Sequence, residues 1–288
     1  MGCIYFMRFS STRRHASMGL LVWGAMLRCG MAQEAVAAKP DAELLEGWND
    51  KFSAEVDHRL DVPLVDQQRY ISLLQLSLSN AKLTDQTAQA FVLVDRSPQI
   101  QAAFVVLLTP SGQWHWIGAT AVSTGKTGSF EHFVSPLGVF PHSLDNPDYR
   151  SMGTYNKNHI RGFGLRGLRV FDFGWQSAER GWGAGGISKM RLLMHATDPH
   201  VLEARLGRVA SEGCIRIPST LNGFLDRHGL LDADYEAARA SGDELWVLKH
   251  DRQVIAWPGR YMVIVDSNAI DRPQWSPAPG VLKTRAAQ

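Results

Sequence analysis

Apolar residues recur at helical spacing in the first part of the chain and at strand spacing afterwards. One helical run starts at Asp41, and a second extends from Val65 to Leu83. Pro63 lies between them, where proline cannot continue a helix. The pattern therefore predicts two helices, and we expect their apolar faces to pack on the domain that follows.

After Asp85 the period changes to that of strands. The predicted early strands are Phe91–Asp95, Ala103–Thr109 and Trp114–Gly118, and the predicted late ones are Glu244–Leu248 and Tyr261–Asp266. A helix capped by Ser219 and ending near Gly229 is expected between the two groups. The predicted fold class is therefore mainly β with peripheral helices (α+β).

A long segment from Asp145 to Ile187 combines nine glycines with many aromatic residues. Glycine lowers helix propensity, and the aromatic rings argue against disorder. We interpret this segment either as a lid over a substrate cleft or as extra hairpin strands with a structural role.

Residues 1–32 have the composition of a secretory signal peptide, with four arginines, no acid and a short apolar run. The run is shorter than the roughly 20 apolar residues that span a bilayer, so no stable membrane insertion is expected after cleavage. A lipoprotein signal at Cys29 is disfavoured by Arg28 before it. The chain is predicted to be exported to the periplasm or cell envelope.

Removal of this leader changes the net charge of the chain and the number of its thiols. The formal net charge of +2 falls to about −2, which gives no indication of nucleic-acid binding. Cys3 and Cys29 are lost with the leader, so Cys214 remains as a single thiol that cannot form an internal disulfide. A lone thiol in an oxidising compartment suggests chemistry, with a buried small hydrophobe as the alternative.

Cys214 lies in the stretch Ser211-Glu212-Gly213-Cys214-Ile215-Arg216, and His195 precedes it by 19 positions. A glycine beside a thiol in an extended segment favours an exposed turn. A histidine brought close by the fold can deprotonate such a thiol. The pattern is typical of a cysteine nucleophile with a histidine base.

These residues resemble the active-site segment of the L,D-transpeptidases of the YkuD type, which read His, a gap, then Ser-His-Gly-Cys. Two upstream segments, residues 121–128 and 135–140, resemble the family's glycine-marked strand and turn segments. The resemblance implies a YkuD-like β-sandwich catalytic domain over residues 91–266. Residues 33–90 then form an N-terminal helical segment, and residues 267–288 form a C-terminal tail.

The resemblance implies a mechanism on peptidoglycan stem peptides. The Cys214 thiolate attacks the carbonyl before the terminal D-alanine and forms a thioester, which an amine of a second stem resolves into a 3-3 cross-link. Carbapenem-type β-lactams are expected to acylate the same thiol. No metal or other cofactor is implied.

Other residues of the segment have expected supporting roles. Backbone amides of the turn at Ser211 and Gly213 are candidates for the oxyanion site. Arg216, Glu212 and Thr197 are candidate substrate-binding residues. Arg216 could hold a carboxylate or brace the loop. Glu212 replaces the family's second histidine, and could contact the acceptor amine or pair with Arg208.

The orienting acceptor for His195 is expected to be a backbone carbonyl, with Asp198 as the side-chain alternative. A zinc site made by His195, Asp198, His200 and Cys214 is a rival hypothesis that lacks a helical frame for the ligands. L,D-carboxypeptidase activity at the same site and a non-catalytic wall-binding module are further alternatives, and Glu212 is the best argument for the latter.

Overall fold

The computed structural model describes Leu45 and residues 47–84 and 86–277. The predicted signal peptide, Cys3, Cys29 and the end of the predicted tail lie outside these residues. None of the described helices is long and apolar enough to cross a membrane.

The first sheet has five strands. They are β1 (Gln89–Asp95), β2 (Ala102–Leu108), β3 (Trp114–Ala121), β4 (Gly138–Pro141) and β9 (Tyr261–Val265). Their order is β3-β2-β1-β9-β4. β1 and β9 are parallel, and the other neighbours are antiparallel. The last strand in sequence therefore lies inside the sheet, between β1 and β4.

The second sheet has four strands. They are β5 (Tyr149–Arg150), β6 (Arg169–Glu179), β7 (Ile187–Ala196) and β8 (Ile215–Ile217). They lie in chain order, with β7 and β8 parallel and the other pairs antiparallel. The long glycine-rich segment thus supplies two strands of this sheet and the turn to β7. Its irregular part is the connection 151–168.

In the described part of the chain, four α-helices with defined bounds and a short 3₁₀ turn accompany the sheets. They are α1 (Trp48–Glu55), α2 (Leu64–Asn80), α3 (Ser219–His228) and α4 (Ala233–Ala240), with the 3₁₀ turn at Glu203–Arg205. The prediction of a mainly β fold with peripheral helices is confirmed.

Alternate residues of β1 face two different hydrophobic layers. Val92 and Val94 share a core cluster with Phe171 and Met194 of the second sheet, so the two sheets pack face to face. Phe91 belongs to another cluster on the opposite face, where Tyr70, Leu74 and Leu78 of α2 cover the first sheet. Each such buried side chain stabilises the fold by about 2 kcal/mol.

The expectation that the N-terminal helices pack on the β domain is therefore confirmed. Trp48 and Phe52 of α1 belong to the core between the sheets. The Tyr70 hydroxyl of α2 donates a 2.7 Å hydrogen bond to the buried carboxylate of Asp95 at the end of β1. This bond satisfies two polar groups that the helix would otherwise bury without partners.

Two local predictions were wrong. Glu244–Leu248 forms turns instead of a strand, because the Val247 carbonyl accepts from the Arg150 guanidinium and Val247 packs on Tyr235. Ser219 begins α3 but its hydroxyl does not cap the helix. The Glu203 carboxylate accepts from the Ser219 backbone N–H at 2.6 Å and takes that role.

A buried ionic cluster surrounds the start of β6 in the second sheet. The fully buried Arg169 at the start of β6 donates from Nε to Asp148 at 2.5 Å and from Nη1 to Asp232 at 2.8 Å. Asp232 also pairs with Arg252. Removal of one partner from such a cluster leaves an uncompensated buried charge, which is costly.

Candidate active site

The parallel pairing of β7 with β8 brings Cys214 next to the strand that carries His195. Met194 and Ile215 are register partners and both point into the core between the sheets. Because strand residues alternate between faces, His195 and Arg216, which are also register partners, point to the opposite, outer face. Cys214 lies in the bend directly before β8, and its thiol contacts the β7 backbone at Arg191 and Leu193.

The turn that presents Cys214 is held by two serines. Ser211 is fully buried, and its hydroxyl donates to the Cys214 carbonyl at 2.6 Å while it accepts from the Gly213 N–H at 3.1 Å. The Ser135 hydroxyl donates to the Gly213 carbonyl at 2.6 Å and accepts from the Gly125 N–H at 2.9 Å. The turn is therefore fixed before any ligand binds.

Glycine is required at two points of this arrangement. Gly213 has φ of +127°, and a Cβ there would lie 2.8 Å from the Met190 side chain. A Cβ on Gly125 would lie 1.9 Å from the Phe133 carbonyl oxygen, because residues 133–135 pass close to one side of Gly125 while its backbone bridges to Ser211 of the Cys214 turn. The glycine-marked segment 121–128 thus packs directly against the turn.

His195 is buried, and its imidazole is oriented by the backbone. Nδ1 lies 2.7 Å from the Ala196 carbonyl, to which only a protonated Nδ1 can donate. Burial lowers the pKa of His195 to about 4, against the opposing effect of the Ala196 hydrogen bond, and the charge of Arg216 lowers it further. At neutral pH the ring is uncharged, and Nε2 carries the lone pair that can accept a proton.

The Cys214 thiol is partly buried and protonated in the resting site. Burial raises its pKa, although a hydrogen bond from the Leu193 N–H and the charge of Arg216 oppose that effect. Sγ lies 3.7 Å from the Arg191 carbonyl. Among the described residues no hydrogen bond joins Cys214 to His195. The pair is therefore a neutral thiol and a neutral imidazole, and the site can act by general-base proton transfer.

The backbone amides of the turn are only in part free to bind an oxyanion. The Ser211 N–H donates to Thr124, and the Gly213 N–H donates to the Ser211 hydroxyl. Of the hydrogen bonds in the described chain, none is donated by the N–H of Cys214. That N–H and the N–H of Glu212, which also donates no hydrogen bond in the described chain, are the turn donors left for a developing negative charge.

The three candidate substrate-binding residues have different surroundings. Arg216 donates from Nη1 to the Ala210 carbonyl at 3.1 Å, which braces the loop. Glu212 is exposed and, within the described residues, forms no ion pair with Arg208 or any other cation. Thr197 is fully buried, and its hydroxyl has no hydrogen-bond partner in the structure.

Asp198 does not orient His195. Its carboxylate accepts from the backbone N–H groups of Arg161 and His200, both at 2.9 Å, and lies 3.5 Å from the Arg161 guanidinium. Within residues 47–84 and 86–277, no cluster of three or more His, Cys, Asp or Glu side chains could hold a metal ion.

The structure adds residues that sequence reasoning missed. Arg191 of β7 forms a bidentate ion pair with Asp172 of β6, with the shortest distance 2.7 Å, and the Arg191 guanidinium lies 5.8 Å from the exposed Trp175 ring. The carbonyl of Arg191 is the group nearest the Cys214 thiol. The alternation of β7 was the available signal, since it assigns Arg191 and His195 to the same face.

Aromatic rings flank the site on both sides. The Phe163 ring, from the irregular connection 151–168, meets the His195 ring edge to face at 4.7 Å. On the other side Phe133 packs on Trp182 at 4.8 Å and lies against Gly213. Each interpretation of the glycine-rich segment holds for a part of it. Residues 169–187 form strand and turn, while the Phe163 ring covers the imidazole of His195.

Comparison with known proteins gives a remote structural similarity. No protein-family profile matches the chain, and no curated protein matches it. Among solved structures it is similar to the helical cell shape determining protein Pgp2 from Campylobacter jejuni, with 11% sequence identity and a TM-score of 0.30. The similarity covers 76% of this chain and 53% of that one, so this chain spans about half the length of that structure.

Proposed function

We propose that this chain is an exported, cysteine-dependent L,D-transpeptidase that acts on peptidoglycan stem peptides, with Cys214 as nucleophile and His195 as base. The observation that carries the proposal is the uncharged His195, whose Nδ1 is bound to a carbonyl while its Nε2 is free, on the strand whose backbone contacts the only thiol of the described chain. The motif resemblance around Cys214 supplies the substrate class.

The proposed reaction starts from the neutral pair. Rotation of the Cys214 side chain away from the Arg191 carbonyl brings the thiol proton to Nε2 of His195, and the thiolate attacks the carbonyl before the terminal D-alanine. The Cys214 N–H binds the oxyanion. His195 then returns the proton to the leaving amine, so that D-alanine departs and a thioester remains.

The second half of the reaction reverses these proton transfers. The amine of a second stem gives a proton to His195 as it attacks the thioester carbonyl, and the proton returns to sulfur when the C–S bond breaks. The products are an amide between two stems and the original thiol. The new amide replaces the amide that was broken, so the reaction consumes no nucleotide.

The experiment is intact-mass analysis of the protein after incubation with a carbapenem and, separately, with a disaccharide tetrapeptide. Cys214→Ala is the matched control, and peptide mapping separates Cys214 from Cys3 and Cys29. We expect one carbapenem adduct on Cys214, release of D-alanine, and dimers of the disaccharide peptide. His195→Gln should retain the fold and lose the products. A folded wild-type protein that gives no adduct and no product contradicts the proposal.

One observation favours a second function, a wall-binding module without catalysis. The Cys214 thiol faces a carbonyl instead of the histidine, and burial raises its pKa. A module of this kind binds peptidoglycan equally well as wild type and as Cys214→Ala, and it forms no adduct. L,D-carboxypeptidase activity is distinguished by its products, because water yields disaccharide tripeptide without dimers.

We also propose the organisation inferred from the sequence: residues 1–32 as a signal peptide, 33–90 as the helical segment, 91–266 as the catalytic domain and 267–288 as the tail. Export followed by N-terminal sequencing of the periplasmic protein tests the first boundary. The expected new N-terminus is Gln33. Retention of the protein in the cytoplasm contradicts it.

A further inference from the structure

A cavity of about 240 Å³ lies beside the candidate active site, on the side of Arg216. Its wall combines two chain segments, residues 123–126 and residues 202–210, with Thr197 and Arg216 from the end of the second sheet. Given roughly 30 Å³ per water molecule, the space has room for a group of the size of one small amino acid.

The lining of this cavity is strongly basic. Lys126, Arg205, Arg208 and Arg216 all line it, and none of the side chains that line it is acidic, since Glu203 of the same segment is not among them. In the described chain none of these four cations takes part in an ion pair with a carboxylate within 4.0 Å. Glu212 is the acid whose charge acts on Arg216 from outside the cavity. Like charges held together without a partner favour an anion.

A hydroxyl in the cavity wall also lacks a partner. Thr197 is fully buried, and its Oγ1 has neither a donor nor an acceptor within hydrogen-bond distance. A buried hydroxyl without a hydrogen bond costs stability. A shift of the Thr197 side chain that opens this hydroxyl to the cavity would let a bound anion accept from it and remove the cost.

The two walls are fixed by backbone hydrogen bonds. Gly207 donates to the Val122 carbonyl at 2.7 Å, and Ala210 donates to the Thr124 carbonyl at 2.9 Å. Arg216 is held in place by the Ala210 carbonyl and, through its backbone, by Ser123. The backbone of the cavity is therefore fixed before a ligand binds.

We propose that this cavity binds a carboxylate of the peptide substrate, recognised by Arg205, Arg208 and Lys126 with the Thr197 hydroxyl. The proposal rests on the proposed function, because a stem peptide is the substrate. Arg216 lies in register with His195 and lines the cavity, so a carboxylate held here fixes the peptide beside the reacting pair. The shared chemistry is that of a small anion, and the source proposed is a peptide carboxylate.

The first test uses acetate alone, so that it does not depend on catalysis. Acetate titrated into the full chain, at constant ionic strength, should shift the NMR signals of the Arg205 and Arg208 Nε–H groups and of the Thr197 N–H along one binding curve. Arg208→Gln should weaken acetate binding about tenfold, as expected for loss of a charge-assisted hydrogen bond. Arg227→Gln, an exposed arginine of α3 outside the cavity, is the charge-matched control.

Thr197→Val separates binding from structure. Removal of the unpartnered hydroxyl should leave the free protein as stable as wild type or more stable, and should weaken acetate binding about threefold through the lost hydrogen bond. A purely structural Thr197 predicts no change in acetate binding. No shift with acetate, or equal binding by Arg208→Gln and wild type, overturns the proposal.

The second test assigns the source of the anion. Binding of a disaccharide tetrapeptide to Cys214→Ala is compared with binding of the same compound with amidated carboxylates, and with inorganic phosphate. We expect Arg208→Gln to weaken the acid about tenfold and to leave the amide unchanged. Stronger competition by phosphate than by acetate overturns the carboxylate assignment. Acetate binding without any carbapenem adduct on the wild-type protein contradicts the proposed function and leaves the anion site standing.

Discussion

The uncharged state of His195 leads to a prediction about stability and pH. The unfolded chain takes up a proton near pH 6.5, whereas burial holds the pKa of His195 in the folded protein at about 4. Above pH 6.5 the ring is neutral in both states and has no effect. As pH falls from 6.5 to 4, the unfolded chain binds a proton that the folded protein does not, so the folded state loses stability.

The size of the effect follows from the two pKa values. At 1.36 kcal/mol for each pKa unit, the interval from 6.5 to about 4 corresponds to about 3 kcal/mol when it has been fully traversed. The loss due to His195 is about 2 kcal/mol at pH 5 and approaches 3 kcal/mol at pH 4. His195→Gln keeps a neutral polar side chain that does not titrate in this range.

The assay is urea unfolding of wild type and His195→Gln at pH 7, 6, 5 and 4. Other carboxylates and histidines titrate in both proteins, so their effect cancels in the difference between the two free energies of unfolding. We expect that difference to shift by about 2 kcal/mol in favour of His195→Gln between pH 7 and pH 5. A difference that stays constant with pH would refute the reasoning, because it would mean that His195 is solvated or already charged.

Three further predictions concern the nucleophile and the fold. Ser211→Ala removes the two hydrogen bonds that the Ser211 hydroxyl forms within the Cys214 turn, so we expect the free energy of unfolding, measured in urea, to fall by about 1–3 kcal/mol. The rate of carbapenem acylation of Cys214 should fall even where the variant remains folded, because the turn that presents the thiol is less firmly held. Alkylation of Cys214 by iodoacetamide should rise with pH to above pH 9 without a plateau near neutrality, because its pKa is raised; a plateau at pH 6–7 would indicate a preformed thiolate. Arg169→Met removes the cation that the buried Asp148 and Asp232 share and leaves them only His142 and Arg252 as ion-pair partners, so we expect a loss of about 3–5 kcal/mol by calorimetry or urea unfolding. Arg227→Gln should be neutral, and an equal loss in both variants would contradict a special role for the buried cluster.

The local pattern was sufficient where a segment has one strong periodicity. Phe91–Asp95 and Tyr261–Asp266 were predicted as strands, and β1 and β9 occupy Gln89–Asp95 and Tyr261–Val265. Glu244–Leu248 is rich in apolar residues typical of strands but makes turns, because an arginine distant in sequence takes the Val247 carbonyl. A competing partner of that kind has no signature in the segment itself.

The candidate site likewise combines features that the sequence predicted with features that only the tertiary structure created. Alternation along β7 is enough to place residues two apart on one face, whereas Cys214 lies in the bend directly before β8, outside the alternation that orients Arg216. That β8 pairs with β7, which aligns His195 with Arg216, is a property of the sheet. The hydrogen bond from the Ser135 hydroxyl to the Gly213 carbonyl joins residues 78 positions apart and is likewise a property of the tertiary structure.

What the sequence determined by itself is the two N-terminal helices, the strands β1, β2, β3 and β9, the mainly β class, and the choice of a candidate thiol and histidine. These follow from side-chain period and from residue chemistry, which act locally. The tertiary structure alone decided the protonation of His195 and Cys214 and the collection of four cations around one cavity. Both depend on solvent exclusion and on the distances between charges, which only the packing of distant segments creates.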